Sequence, residues 1–277
     1  MRLTRRGRLA VTVTAAAALL LAGTSYLLTR TTVGAALGVP IPPPCRITAD
    51  GHTREWSRVQ AMTATTVAGV GVRIGATLNG VAVAVDQSLA ARPAIAVTSA
   101  QALAVYRRPP VRTAPPAAAL ALARALLGES GRALTCTVPL VDRLPREDPD
   151  RLGLTGRAET MRLAMRDVFG KQTLGGFAAG GITTGHVEGS AHYQGRAIDV
   201  FFRPVTAEQQ RRGWVQAQWA VAHSDRLHIA TVIFDRAIWT AEKSISGWRD
   251  YAYPGGPTQN PILLHLDHMH VDVVEGG

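Results

Sequence analysis

Gly185-His186-Val187-Glu188-Gly189-Ser190-Ala191-His192-Tyr193-Gln194-Gly195-Arg196-Ala197-Ile198-Asp199 and, nearer the C-terminus, His265-Leu266-Asp267-His268-Met269-His270-Val271-Asp272-Val273 hold five of the chain's 8 histidines. His268 and His270 are two residues apart, so on a strand both imidazoles leave the same face and can share a site. His192 and Asp199 have an odd spacing, which would put them on opposite faces of one continuous strand. The chain must therefore turn between them, and Gly195 is placed to let it. Asp199 precedes Val200-Phe201-Phe202, so it opens a buried strand, where an unpaired carboxylate is costly and a metal ion would satisfy it. Two neutral imidazoles and one carboxylate form a ligand set used by catalytic zinc, with a fourth position left for water.

Outward from these stretches the pattern is α+β. Ala158, Met161, Met165 and Val168 recur at helical spacing and Gly170 follows as a stop. Thr206 with Gln209 reads as a capping box opening a helix through Trp214, Ala217 and Ala222. Strand-like runs cover 198–202, 228–234 and 270–274, so residues 155–277 read as a domain with a small antiparallel sheet. Residues 137–154, charged and proline-bearing, read as a linker. Upstream, residues 45–136 are rich in alanine and valine, with helical periodicity over 56–67, 81–89 and 117–127, broken by Arg107-Arg108-Pro109-Pro110 and Pro115-Pro116. That segment reads as a mainly helical domain with no cluster of chemistry-bearing side chains, hence a spacer or docking module. Cys45 and Cys136 bracket it. On an oxidising side of the membrane they are expected to pair, and closing such a loop is worth ~4–5 kcal/mol in the chain-entropy model; two free thiols are the alternative.

The chain of 277 residues has a formal net charge of +10, and only Lys171 and Lys243 are lysines, so its positive charge is almost all guanidinium. Such a surface favours polyanions or is simply well solvated. The first thirty residues argue against nucleic acid as the partner. Arg2, Arg5, Arg6 and Arg8 precede an uncharged run from Leu9 to Leu28, and at ~1.5 Å per residue that run spans a ~30 Å bilayer core. The arginine flank stays inside, so residues 1–30 read as a signal anchor and the remainder as exported. A cleaved signal peptide is the competing reading. Residues 31–44, ending in Val39-Pro40-Ile41-Pro42-Pro43-Pro44, read as an extended spacer. The expected location is the cell membrane, single-pass, with the C-terminal part outside. The expected polyanion is peptidoglycan, another anionic envelope polymer or lipid headgroups.

The string Ser190-x-His192-x-x-Gly195-x-Ala197-x-Asp199 with His268-x-His270 resembles the zinc metallopeptidase group of D-alanyl-D-alanine carboxypeptidases, murein endopeptidases and hedgehog domains, over about residues 155–277. The triple His265, His268, His270 is closest to the murein endopeptidase version of the second motif. The sequence also resembles exported actinobacterial proteins that carry this domain beside a helical one. The resemblance implies zinc held by His192, Asp199 and His270, with His268 as the base. One departure stands out. Related peptidases have an arginine after an aromatic in an upstream Gly-Tyr-Arg-like segment, whereas here Gly175-Gly176-Phe177 is followed by Ala178. Arg196 or Arg203 is the available substitute for contacting a substrate carboxylate or oxyanion.

The function expected is hydrolysis of amide bonds in peptidoglycan peptides. The alternative is a non-catalytic wall- or partner-binding module with a vestigial metal site. Ala178 favours the module and His268 beside His270 favours the enzyme. Glu188 is the reserve base. Asp267, on the opposite strand face from His268, is a weaker choice. Ser190 is expected to hydrogen-bond a ligand or backbone, since no serine-hydrolase pattern accompanies it. His186 and His265 are expected beside the ligands or on the surface. Trp239, Trp248, Tyr251 and Tyr253 either line a groove or pack in the core.

Overall fold

A helix of 21 residues, Ala207–Leu227, packs against helices on one part of its surface and strands of both sheets on another. Thr206 caps it, its hydroxyl accepting from the Gln209 amide, as Thr206 and Gln209 suggest in the sequence. From Gly213 to Ser224 every residue is buried. A helical stretch buried all round must be covered on several sides, and here strands and other helices do it. The computed structural model describes residues 44–277 except 92, 109–114 and 140–143; the anchor expected at 1–30 and most of the spacer at 31–44 lie outside the described residues. Among the described residues, no helix is long and apolar enough to cross a membrane.

In chain order the described helices are α1 Arg58–Ile74, α2 Leu78–Ala90, α3 Ser99–Tyr106, α4 Ala117–Leu126, α5 Gly156–Phe169 and α6, the long helix above. The strands are β1 Cys45–Ala49, β2 His52–Trp56, β3 Leu134–Cys136, β4 Leu174–Gly175, β5 Ala197–Phe201, β6 Ile229–Phe234, β7 Ala237–Thr240, β8 Arg249–Asp250 and β9 His268–Val273. They form two antiparallel sheets, one ordered β2-β1-β3 and the other β4-β5-β9-β6-β7-β8. The fold is therefore α+β, as the period changes along the chain suggest.

Two expectations need correction. The segment 45–136 holds helices α1 to α4, and β1 and β3 pair across its two ends, with Cys45 opposite Cys136 and a disulfide joining them. Trp56, expected to open a helix, closes β2 instead, and Ser57 caps α1 with Gln60 as its reciprocal partner. Nor do residues 45–136 and 155–277 stand apart as two bodies. Residues 44–277 form one compact unit with a continuous hydrophobic core, because α1 packs directly on α6 and α5. Gly69 makes that approach possible: a Cβ there would sit 2.7 Å from Val168 Cγ1. Arg58 adds a polar tie, reaching from α1 to the Thr137 carbonyl at 2.5 Å and the Ser224 hydroxyl at 3.4 Å.

The C-terminus is tied down as well. Arg157 is buried at the start of α5 and donates to the carbonyls of Pro145, Val274 and Glu275 while pairing with Glu147. This clamp fixes the end of β9, the strand on which the site is built.

Candidate metal centre

Sheet register does the first part of the assembly. In the antiparallel β5–β9 pair, Asp199 lies directly opposite His270, Phe201 opposite His268 and Ala197 opposite Asp272. Directly opposed residues share a face, so Asp199, His268, His270 and Asp272 form one polar patch. The alternate residues Ile198, Val200, Met269, Val271 and Val273 are buried in the core. On the other side of β5, Gly175 pairs with Asp199, which brings Gly176 to the same place.

His192 arrives from a 3₁₀ turn, Ala191–Gln194, immediately before β5. Ser190 opens the turn, its hydroxyl accepting from the His192 amide at 3.4 Å. Gly195 closes it in the left-handed region at φ 66°. That conformation suits glycine, and a Cβ there would also meet the Gly153 carbonyl at 2.6 Å. The turn reverses the odd spacing of His192 and Asp199 and puts both side chains in one site.

Each of three imidazoles is held from behind. His192 Nδ1–H donates to the Gly176 carbonyl at 2.8 Å, His270 Nε2–H to Asp272 Oδ2 at 3.1 Å, and His268 Nδ1–H to Asp267 Oδ1 at 2.7 Å. A carbonyl or carboxylate can only accept, so these partners determine which nitrogen carries the proton. The remaining nitrogens, His192 Nε2, His270 Nδ1 and His268 Nε2, lie 3.2, 3.5 and 3.9 Å from Asp199 Oδ1. That oxygen is buried and has no hydrogen-bond partner. Leaving such a group unsatisfied costs ~1–3 kcal/mol or more when it is charged.

The electrostatics call for a cation at this point. Burial pushes the Asp199 carboxyl up, but the adjoining His192 and His270 rings outweigh it and hold the pKa well below the usual carboxylate range. Burial pulls His270 down, yet Asp199 and Asp272 on either side raise it to about 9. Where no metal is bound, a proton therefore supplies the positive charge. His265 is lowered to about 3 by burial and by His268 and His270. It stays neutral, its ring 4.7 Å from that of His268 and edge-on to Tyr251.

His186, His192 and Asp199 also bring ligand atoms within 4.8 Å of one another, a group that can hold a metal ion. His186 is lowered by burial and by the neighbouring His192, and Tyr193 clasps its backbone through both the amide and the carbonyl. Its ring is stacked on that of His192, with centroids 3.9 Å apart and planes 23° apart. A metal takes the in-plane lone pair of each imidazole, and two nearly parallel stacked planes share no nearby point. His186 must rotate off His192 before both can bind one ion, whereas the His192 and His270 planes are 72° apart and do intersect near Asp199.

The other expected residues separate clearly. Arg203 reaches the site: its Nε donates to Asp267 Oδ2 at 2.6 Å, its Nη2 forms an ion pair with the same oxygen at 2.6 Å, and the guanidinium lies 4.1 Å over the Phe201 ring. Arg196 is committed elsewhere, to Gln194 and the Val273 carbonyl. Glu188 is exposed on the loop after His186. Trp239 is fully buried, and Trp248 packs edge-on to Trp214 while donating to the Leu134 carbonyl, so both are core residues.

Three contributors escaped the sequence reading. Asp272 had a readable signal, since it continues the two-residue spacing of His268 and His270. Gly176, left-handed at φ 80°, was visible only as a glycine pair; a Cβ there would collide with the His192 ring and lie 3.1 Å from Asp199 Oδ2. Asp267 was set aside as lying on the opposite strand face. It precedes β9, so strand alternation does not govern it, and its carboxylate turns to His268.

Residues 153–262, under half of the chain, match the family model for the C-terminal domain of VldE. This part of the chain is thus similar to that domain. The match takes in His192 and Asp199 and ends before His268 and His270. No curated protein and no solved structure matches the chain.

Proposed function

We propose that the protein is a zinc-dependent peptidase, membrane-anchored and extracytoplasmic, that hydrolyses amide bonds in peptidoglycan peptides. The observation that carries this reading is the convergence of three imidazole nitrogens, His192 Nε2, His270 Nδ1 and His268 Nε2, on the orphaned Asp199 Oδ1. The donor set fits zinc: His192, Asp199 and His270 would hold it, each imidazole oriented by an acceptor on its far nitrogen. Bound zinc supplies Lewis acidity, polarising a carbonyl and acidifying water. His268 does the proton work. Its Nε2 accepts a proton from the attacking water as the C–O bond forms and gives it to the nitrogen as the C–N bond breaks. Arg203 supplies positive charge beside this histidine, in the absence of an arginine at 178.

The location rests on the arginine-flanked apolar run of residues 9–28 and fits the disulfide between Cys45 and Cys136, a bond of oxidising compartments. An envelope substrate follows from that location and from the basic surface. The test is incubation of the full chain with purified peptidoglycan, with zinc and with a chelator, followed by mass spectrometry of the soluble fragments. New peptide termini that appear only with metal support the reading. A protein that binds zinc, sediments with peptidoglycan and releases nothing is instead the non-catalytic binding module, the reading that Ala178 favours.

A further inference from the structure

We infer that Asp267, braced by Arg203, is a positioning residue that keeps the proton of His268 on Nδ1 and so leaves Nε2 bare toward Asp199. Its catalytic meaning rests on the peptidase reading above; the proton placement itself does not.

Asp267 divides its two oxygens between two partners. Oδ1 takes the His268 Nδ1 proton at 2.7 Å, and Oδ2 takes the Nε proton of Arg203 at 2.6 Å with Nη2 beside it as an ion pair. The guanidinium is a rigid planar fork, and it is itself stacked on Phe201, the residue opposite His268 across the β5–β9 ladder. Neither oxygen is free to exchange roles. His265 lies against the His268 ring, centroids 4.7 Å apart, and the Asp267 bond keeps Nδ1 turned to the carboxylate. A hydrogen bond to an ionised acceptor is strong enough to bias the tautomer ratio roughly tenfold or more toward Nδ1–H. With the proton on Nε2 instead, His268 would aim a donor at Asp199 and could accept no proton at that nitrogen.

Asp267→Asn tests this with almost no change of shape. Arg203 offers only donors, so the amide oxygen must face the guanidinium and the amide NH2 must face His268 Nδ1. That nitrogen must then accept, and the tautomer inverts. We expect long-range ¹H–¹⁵N correlation spectra of the full chain, ¹⁵N-labelled at histidine and free of zinc, to show His268 protonated at Nδ1 in the wild type and at Nε2 in Asp267→Asn. Asp267→Asn combined with Arg203→Ala leaves the amide free to present its oxygen and should restore Nδ1 protonation at least in part, a rescue that a purely structural role for Asp267 does not provide. An Asp267→Asn spectrum with His268 still protonated at Nδ1 overturns the inference, as does a double variant that stays inverted. In the loaded protein, Asp267→Asn should keep its zinc and its KM and lose kcat by roughly the factor lost in His268→Ala, ~10²–10⁴. An inverted tautomer in a protein whose wild type cleaves no peptide leaves the positioning intact and removes the peptidase reading.

Discussion

His192 Nε2 and His270 Nδ1 face each other at 2.9 Å, and each belongs to a ring whose far nitrogen already donates elsewhere, to Gly176 and to Asp272 respectively. Two neutral rings so placed would oppose lone pair to lone pair beside a buried carboxylate. Only a positive charge between them resolves the arrangement, and a proton or a metal ion can provide it. The site is built from both ends: the strand register brings Asp199 under His270, and the Gly195 turn brings His192 over both.

Metal content follows directly. The full chain loaded with zinc and dialysed should retain one ion, read by elemental analysis. His192→Ala, Asp199→Ala and His270→Ala should each lose it, while His186→Ala, which removes only a ring stacked on the back of the site, should keep it. Excess zinc at about 100 times its Kd should stabilise the wild type by ~2.7 kcal/mol against unfolding and leave the three ligand variants unmoved. Zinc retained in His270→Ala but lost in His186→Ala would assign the third ligand to His186.

Gly176→Ala should damage the same site without replacing a ligand. The new Cβ meets the His192 ring, and the backbone at φ 80° is one that alanine resists by ~1–2 kcal/mol. The expected result is a lowered unfolding midpoint together with zinc affinity reduced by about tenfold or more, the range seen when a ligand loses its outer support. Zinc titration of the variant checks both.

How much of this was legible in the sequence depended on the range of the interaction. The two-residue spacing of His268 and His270 and the cap at Thr206 are local, and local patterns survive into the fold. The contact of Asp267 with His268 is not legible because strand periodicity does not govern a residue one position before the strand. The β1–β2 hairpin was missed because Ile47 and Ala49 alternate with only Arg46 and Thr48 over five residues, too short a run to outweigh the alanine-rich pattern that follows. The shared core of α1, α5 and α6 has no sequence signature at all: Gly69 looks like a flaw in a helix until Val168 and Phe169 are seen against it.

The disulfide joins the two ends of a segment with a sequence separation of 91 residues and lies across the β1–β3 pair. Replacing both cysteines by serine should cost ~2–4 kcal/mol, measured by urea unfolding. Because α1 shares the core with α6, one cooperative transition should shift as a whole; an early transition confined to part of the chain would contradict the continuous core.

Stability should also fall in mild acid because of His223. This histidine is fully enclosed in α6, its Nδ1–H donating to the Trp219 carbonyl at 2.9 Å and its Nε2 lying 3.4 Å from the Thr66 hydroxyl on α1. Burial lowers its pKa to about 3; the Trp219 bond opposes this in part, and the charges of Arg226 and Arg58 add to the lowering. The unfolded chain takes up the proton first, near pH 6.5. Stability from this group is therefore complete above that pH and is lost as pH falls toward 3, at ~1.36 kcal/mol per unit. Between pH 7 and pH 5, His223→Gln should flatten the decline by about 2 kcal/mol relative to wild type. Equal slopes in urea unfolding across that range would mean that His223 is protonated in the folded state.

His268 carries the sharpest prediction about chemistry. It shares a strand face with His270 but is farther from Asp199 Oδ1, at 3.9 Å against 3.5 Å, and its ring is tethered to Asp267 and flanked by His265. It is therefore placed to serve the site without completing the ligand set. An imidazole that moves a proton to the leaving group contributes ~10²–10⁴-fold to rate, so His268→Ala should bind zinc with wild-type stoichiometry and lose turnover by that factor. Loss of zinc in His268→Ala would make it a ligand, a role its bare Nε2 permits chemically. Unchanged cleavage in a zinc-replete variant would pass the base to another group, and Glu188 on its exposed loop is the next to replace.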